Sequence, residues 1–295
     1  IVGVRASRVR FDTRDHYVAP GNPDDSGALS YRAANPVAGV TWHASRELNV
    51  YANLGRGFET PTFTELAYRN DASGLNTGIE ASSSRHAEVG LKWRAGERHS
   101  LDGALFDVRT ADEIVVDTSA GGRSTFRNAG RTTRRGAELA YRSRWDGGIG
   151  TYVALSVLRA RFDEPFTSGS GAAAVPVARG NRLPGTPQRA AFAELAYAPR
   201  SAWGGFNAAL EVVHTGRIFV NDANEDSAAP ATVLNLRAGF RHRLGMVEIE
   251  PLVRLDNATD RRYAGSVIVN DGNRRYFEPA PGRTWLVALT ARYRF

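Results

Sequence analysis

Apolar and polar residues alternate with a period of two along most of the chain, in runs of about ten residues, as strands with one apolar and one wet face require. The last run shows this best. Trp285, Val287, Leu289, Ala291, Tyr293 and Phe295 fall on one face, and Thr290, Arg292 and Arg294 on the other. Upstream, Val247, Ile249, Val253 and Leu255 alternate with Glu248, Glu250, Arg254 and Asp256, and Leu48, Val50, Ala52 and Leu54 with Asn49, Tyr51 and Asn53. About twelve strands are predicted: 1–11, 36–45, 47–58, 83–95, 98–111, 131–145, 149–162, 187–198, 203–217, 231–243, 246–257 and 283–295. Short turns near Ser45-Arg46, Gly96-Glu97, Asp146-Gly147-Gly148, Pro199–Ala202 and Leu244-Gly245 alternate strictly with long loops at about 12–35, 59–82, 112–130, 163–186, 218–230 and 258–282. This predicts an all-β, antiparallel transmembrane β-barrel, with tight turns on one rim and long loops on the other. Runs of about 10–14 residues suit a tilted bilayer crossing better than the roughly 5–6 usual in a soluble sandwich or propeller. Trp93, Trp145, Trp203, Trp285 and Tyr293 fall near strand ends, where an interfacial girdle belongs.

Composition changes this picture little. No segment approaches the ~20 apolar residues of a membrane-spanning helix, and the mean hydropathy of −0.35 is blind to alternating strands. Absence of cysteine excludes a disulfide framework and a thiolate metal site. The net charge of +7 comes almost wholly from arginine, Lys92 being the only lysine. Arginines and acids are mixed along the whole length, whereas nucleic-acid binding needs the positive charge gathered on one face. The chain starts at Ile1 with strand-like sequence and no basic or apolar leader, so it is expected to be a fragment of a secreted protein.

Several segments resemble TonB-dependent outer-membrane receptors. Asn35 to Trp42, Leu48 to Asn53, and Gly57-Phe58-Glu59-Thr60-Pro61-Thr62-Phe63-Thr64-Glu65-Leu66 resemble that family's mid-barrel hairpin and its loop. Arg127-Asn128-Ala129-Gly130 with Arg135-Gly136-Ala137-Glu138-Leu139, then Leu183-Pro184-Gly185-Thr186-Pro187, resemble two of its strand entries. Asp256-Asn257-Ala258-Thr259-Asp260-Arg261-Arg262-Tyr263, Pro279-Ala280-Pro281-Gly282-Arg283 and the terminal Tyr293-Arg294-Phe295 resemble its C-terminal segment. The resemblance implies a 22-stranded barrel enclosing an N-terminal plug, of which residues 1–295 are a single C-terminal portion of about twelve strands. The implied partners are that plug, the TonB-ExbB-ExbD complex acting through it, outer-membrane lipid and lipopolysaccharide, and a ferric siderophore or similar ligand. No cofactor and no nucleic acid are expected. Gly136 and Gly282, where the chain enters strands, are expected to use glycine's freedom in φ and ψ, and Glu65-Leu66 to begin a short helical turn.

No catalytic constellation emerges. The six histidines lack metal-ligand spacing to one another, and there is no nucleophile-elbow motif. An outer-membrane lipase or protease would need an acid, base and nucleophile clustered at the rim. A passive porin would need no plug. The loops and polar strand faces are instead rich in arginine, including Arg56, Arg69, Arg179 and Arg182. Guanidinium forks suit carboxylate or catecholate oxygens of an anionic ferric siderophore. Pairing with lumen acids such as Glu88, Glu138, Glu211 and Glu250, or contact with anionic lipopolysaccharide, would explain them equally. The candidate ligand contacts are Arg123, Arg127, Asn128, Arg131, Arg134 and Arg135 in one segment, and Asn270, Asp271, Asn273, Arg274, Arg275 and Tyr276, beside Phe277, in another. Cobalamin, another cofactor such as a quinone, a different metal complex or a saccharide are alternative cargoes.

Overall fold

The computed structural model describes residues 1–20, 24–67, 69, 75–120, 122–169, 174–199 and 205–294. Trp203, Phe295 and most of the Pro199–Ala202 turn lie outside the described residues. Thirteen strands form one sheet in which every pairing is antiparallel and almost every neighbour is next in the chain. His242–Leu244 continues the stave Ala231–Gly239 beyond a break at Phe240 and Arg241, which leaves twelve staves. The others are Val2–Thr13, Gly27–His43, Leu48–Glu59, Ser82–Ala95, His99–Ala111, Thr132–Arg144, Ile149–Phe162, Arg189–Tyr197, Asn207–Thr215, Val247–Asp256 and Thr284–Tyr293. The sheet is open, with its two edges at Val2–Thr13 and Thr284–Tyr293.

Register follows side-chain parity, because a slip of one residue would turn every apolar group to the wrong face. Ala52, Val89, Leu105, Ala137 and Val157 stand opposite one another across five staves. They belong to the outer, lipid-facing surface, on which Leu289 is 70% exposed. Two residues nearer the long loops, the row reads Leu54, Ala87, Asp107, Arg135 and Arg159; the next reads Arg56, Arg85, Arg109, Thr133 and Arg161. The opposite parity forms the lumen wall, where Glu194 faces Glu211 and Arg237 faces Arg254.

Trp285 and Tyr293 bracket the apolar residues of the last stave, about 26 Å apart at ~3.3 Å per residue, which matches an apolar band of ~25 Å. Trp42, Trp93 and Trp145 lie at the short-turn rim. The turns there are tight. Gly96 and Gly245 take φ of +57° and +61°, a region that costs other residues steric strain. Gly27–His43 has 17 residues and reaches ~56 Å, so it projects well beyond the lipid on the long-loop side. The sequence pattern had started this strand near residue 36 and assigned the projecting part to a loop.

Gly136 lies inside its stave and away from the left-handed region, so the expected backbone freedom is not why glycine stands there. A Cβ at 136 would meet the Phe106 ring and lie 2.6 Å from the Val157 carbonyl oxygen. Gly136→Ala is therefore expected to cost about 1–3 kcal/mol, the usual range for overpacking. The check is the fraction of receptor that runs as compact barrel on unheated gels. Adding Phe106→Leu should recover only part of the loss, since the carbonyl cannot move aside. Gly282 is likewise outside the positive-φ set, and a Cβ there would sit 3.0 Å from Asp260 Oδ1.

Candidate functional site

The long connections all emerge on one rim, and four of them are folded. The expected plain loops contain hairpins: Ile114–Ala120 with Arg123–Asn128, Phe166–Ser168 with Val175–Val177, Ile218–Phe219 with Ser227–Ala228, and Ala264–Val267 with Phe277–Pro279. A helical turn forms at Phe63–Leu66, so Glu65-Leu66 close the expected turn rather than begin it. It is held by a capping box in which Glu65 N donates to Thr62 Oγ1 and Thr62 N donates to Glu65 Oε2. Beneath the hairpins Ala129, Ala160, Phe162, Val177 and Leu183 make a small dry core. Its position explains why these excursions hold a shape: they bury apolar groups against the projecting ends of the staves.

Polar groups then clasp the hairpins together. Asn270 Nδ2 donates to the Val116 carbonyl at 2.6 Å and to Asp222 Oδ2 at 2.9 Å, and Asn270 Oδ1 accepts from Asp222 N at 3.1 Å. Ser168 Oγ donates to the same Asp222 oxygen at 3.0 Å, and Gly169 N to Asp117 Oδ1 at 3.0 Å. Asn224 exchanges hydrogen bonds with the backbone of Arg182, and Asn181 donates to the Asp222 carbonyl. Asp222 is buried, with 1% of its surface exposed. Burial raises its pKa above the ordinary carboxylate range, against the opposing pull of the Asn270 and Ser168 hydrogen bonds and the Arg127 charge. Asp222 Oδ1 and Arg127 Nε are both buried without a hydrogen-bond partner among the described residues.

The twelve candidate contacts divide sharply. Arg127 lies over the Phe166 ring at 4.8 Å, donates to the Thr167 carbonyl and sits 3.7 Å from Asp117. Asn128 spans the Glu80 backbone and the Asp112 carbonyl. Arg134 makes a two-pronged pair with Glu113, which also accepts from Thr132. Asn270 belongs to the clasp, Tyr276 is buried beside Phe277, and Asp271 Oδ1 accepts from Asn273 N. Arg131 pairs with Glu164 at 2.8 Å. Arg135 pairs with Asp107 at 2.5 Å and stands on the outer face. Arg123, Asn273, Arg274 and Arg275 are solvent-exposed at hairpin tips. The clasp brings those tips side by side, because Ser119 N donates to the Asn270 carbonyl and Gly272 N to the Ser119 carbonyl.

Sequence reasoning missed Asp222, Asn224, Ser168 and Asp117. The run Asn221-Asp222-Ala223-Asn224-Glu225-Asp226 carried a usable signal, since carboxyl and amide side chains in a loop bond backbone groups. On the lumen wall, Glu211 accepts from Arg237 at 3.2 Å and Arg254 at 2.8 Å, and Glu194 from Arg237 at 2.7 Å. Glu250 accepts from Arg292 and Arg241. Two of the acids expected to neutralise lumen arginines therefore do so. Among the described residues no three His or acidic side chains converge as metal ligands.

Residues 1–258 match the family model described as TonB dependent receptor-like, beta-barrel. The metal-pseudopaline receptor of Pseudomonas aeruginosa strain UCBPP-PA14 is 24% identical over 301 aligned residues, which cover 99% of this chain and 38% of that protein. The chain thus spans well under half the length of that relative. Among solved structures, the ferric yersiniabactin uptake receptor of Yersinia pestis superposes with a TM-score of 0.75 at 22% identity, over 100% of this chain and 42% of that one. The siderophore receptor PiuA of Acinetobacter baumannii gives 0.77 at 15% identity, over 99% and 40%. A copper transporter, OprC, gives 0.72 at 17%, over 99% and 45%. These relatives are named as receptors and transporters, in keeping with a sequence that offers no catalytic constellation. Alternating staves, short turns on one rim, folded excursions on the other and a match over most of its residues agree that this chain is part of a β-barrel of the Gram-negative outer membrane and belongs to the TonB-dependent receptor family.

Proposed function

We propose that the complete protein captures a metal chelate at the cell surface and imports it to the periplasm, and that the cargo is a ferric siderophore. The observation that carries this reading is the pair of clasped hairpin tips presenting Arg123, Arg274 and Arg275 to solvent on the long-loop rim. Guanidinium groups at adjacent tips suit the carboxylate or catecholate oxygens that many ferric siderophores expose. The lumen arginines are less suited, because most of them already meet acids of the wall. In this reading an N-terminal plug fills the lumen, the TonB-ExbB-ExbD complex remodels it, and the cargo passes without covalent chemistry. A second reading, import of a non-ferric metal chelate, is favoured by the metal-pseudopaline receptor and by the copper transporter of similar fold.

The test is a titration of the complete receptor with ferric siderophores, followed by tryptophan fluorescence. Copper and zinc chelates and cobalamin serve as comparisons. Replacing Arg123, Arg274 and Arg275 together with alanine should weaken binding of an anionic ferric chelate about 100-fold, taking ~1 kcal/mol for each ion pair at these exposed positions. Unchanged affinity would remove these tips from the binding site. Saturation by a copper or zinc chelate alone would select the second reading.

A further inference from the structure

The clasp between the surface hairpins is built around a charge that does not balance. Ser168 and Gly169 stand between two carboxylates. Ser168 Oγ donates to Asp222 Oδ2 at 3.0 Å, and Gly169 N donates to Asp117 Oδ1 at 3.0 Å. One guanidinium serves both acids. Arg127 lies 3.7 Å from Asp117, and its charge also reaches Asp222. Its Nε is buried without a hydrogen-bond partner among the described residues, and so is Asp222 Oδ1. Two acids and one cation leave one negative charge in excess, at a place where Asp222 has 1% of its surface exposed. A buried carboxylate without full compensation is costly, and a neutral carboxyl in the same place is far less so.

The contacts around Asp222 suit the neutral form. Asn270 Nδ2 and Ser168 Oγ both donate to Oδ2, so a proton on Oδ1 displaces no bond. The 114–128 hairpin faces Asp222 with Arg127 and Asp117. The other elements packed against it bring neutral side chains: Ser168, Asn270, and Asn181, which donates to the Asp222 carbonyl. Ionisable groups farther along those elements are engaged elsewhere. Asp226 Oδ1 accepts from Ser227 N, Asp271 Oδ1 accepts from Asn273 N, and Arg182 donates to the Leu158 carbonyl. Burial outweighs the Asn270 and Ser168 bonds and the Arg127 charge, Asp117 adds to it, and the carboxyl is held above its ordinary range. Once the hairpins part, water reaches the group and the ordinary range returns.

We propose that Asp222 is a pH-sensitive latch: a proton on its buried carboxyl closes the hairpins against one another, and loss of that proton loosens them. Closure is favoured most below the ordinary carboxylate value of about 4, where Asp222 is neutral whether the hairpins are joined or apart. The advantage shrinks as pH rises from there to the raised value, and stays small above it. The inference concerns the closure of the hairpins and holds whatever the cargo is.

The experiment is hydrogen exchange on the complete receptor in detergent, from about pH 4.5 to about pH 8, with each rate divided by the intrinsic rate of an unprotected amide at that pH. Wild-type protection in the hairpins that carry Asp117, Ser168 and Asp222 should be highest at the acid end. It should fall by up to about tenfold per pH unit, the limit for a single proton, while the stave amides stay level. Asp222→Asn carries no charge and should keep the acid-end protection throughout. Asp117→Asn leaves Arg127 to Asp222 alone and should move the fall to lower pH. A level wild-type profile would overturn the proposal, and that measurement needs no variant to fold. An Asp222→Asn profile as steep as that of the wild type would overturn it too, since another group would then be titrating. So would an unmoved profile in Asp117→Asn.

Discussion

Asn270→Ala is expected to loosen four surface excursions at once and to weaken cargo capture about 100-fold, with the barrel itself intact. The side chain makes three hydrogen bonds that tie the 264–279 hairpin to the Val116 carbonyl and to both ends of Asp222. Asp222 already has one buried oxygen without a partner. Removing the amide strands more of that carboxylate and a carbonyl, at about 1–3 kcal/mol for each group. Asn270 also adopts φ of +53°, a conformation asparagine tolerates better than alanine. A total near 3 kcal/mol opens the clasp in a large share of molecules, and about 100-fold in affinity follows if the closed arrangement is the one that binds. Hydrogen exchange would show it as lost protection at 114–128, 166–177 and 218–228, with the stave amides unchanged. Unaltered exchange in those three hairpins would remove the clasp from the account of binding.

Arg237→Met should destabilise the lumen wall by about 3 kcal/mol, the lower part of the range for breaking a buried charge pair, because the site is partly wet. Glu194 and Glu211 stand directly opposite each other in register, an arrangement that like charges oppose. Arg237 reconciles them by contacting both, at 2.7 and 3.2 Å. Without it Arg254 still holds Glu211, but Glu194 has no cation among the described residues. The second substitution Glu194→Gln should therefore restore most of the loss. Urea unfolding of refolded receptor in lipid, for wild type, single and double variants, measures the coupling. A double variant no more stable than the single one would show that the wall does not depend on that charge balance.

The staves were legible because parity and connection length are two separate readings of the same barrel. Trp285, Val287 and Leu289 gave the outer face, and the short turns gave the rim. Legibility failed where strands leave the lipid. From Gly27 to Asn35 the outer positions are Ala28, Ser30, Arg32 and Ala34, so no apolar face remains and strand looks like loop. Arg135 shows the same limit in reverse. It was a candidate for the binding mouth, yet its parity with Ala137 and Leu139 puts it outside, and alternation alone would have shown this. The clasp could not be read, since the Asn270 partners lie as far as 154 residues away in the chain. Only folding says which amide meets which carbonyl.

Surface loops ordinarily tolerate exchange and insertion better than the elements they connect. Here that freedom is curtailed. A hairpin swapped singly for that of another receptor would leave behind the orphaned half of a buried hydrogen-bond set: a Val116 carbonyl, an Asp222 carboxylate or an Arg182 backbone with nothing to answer it. Exchange of these excursions should therefore preserve their fold only when those from the hairpin at 114–128 through the one at 264–279 are inherited as one block. Diversity between close relatives should accumulate at the exposed tip around Arg274 and Arg275, away from the buried hydrogen-bond set.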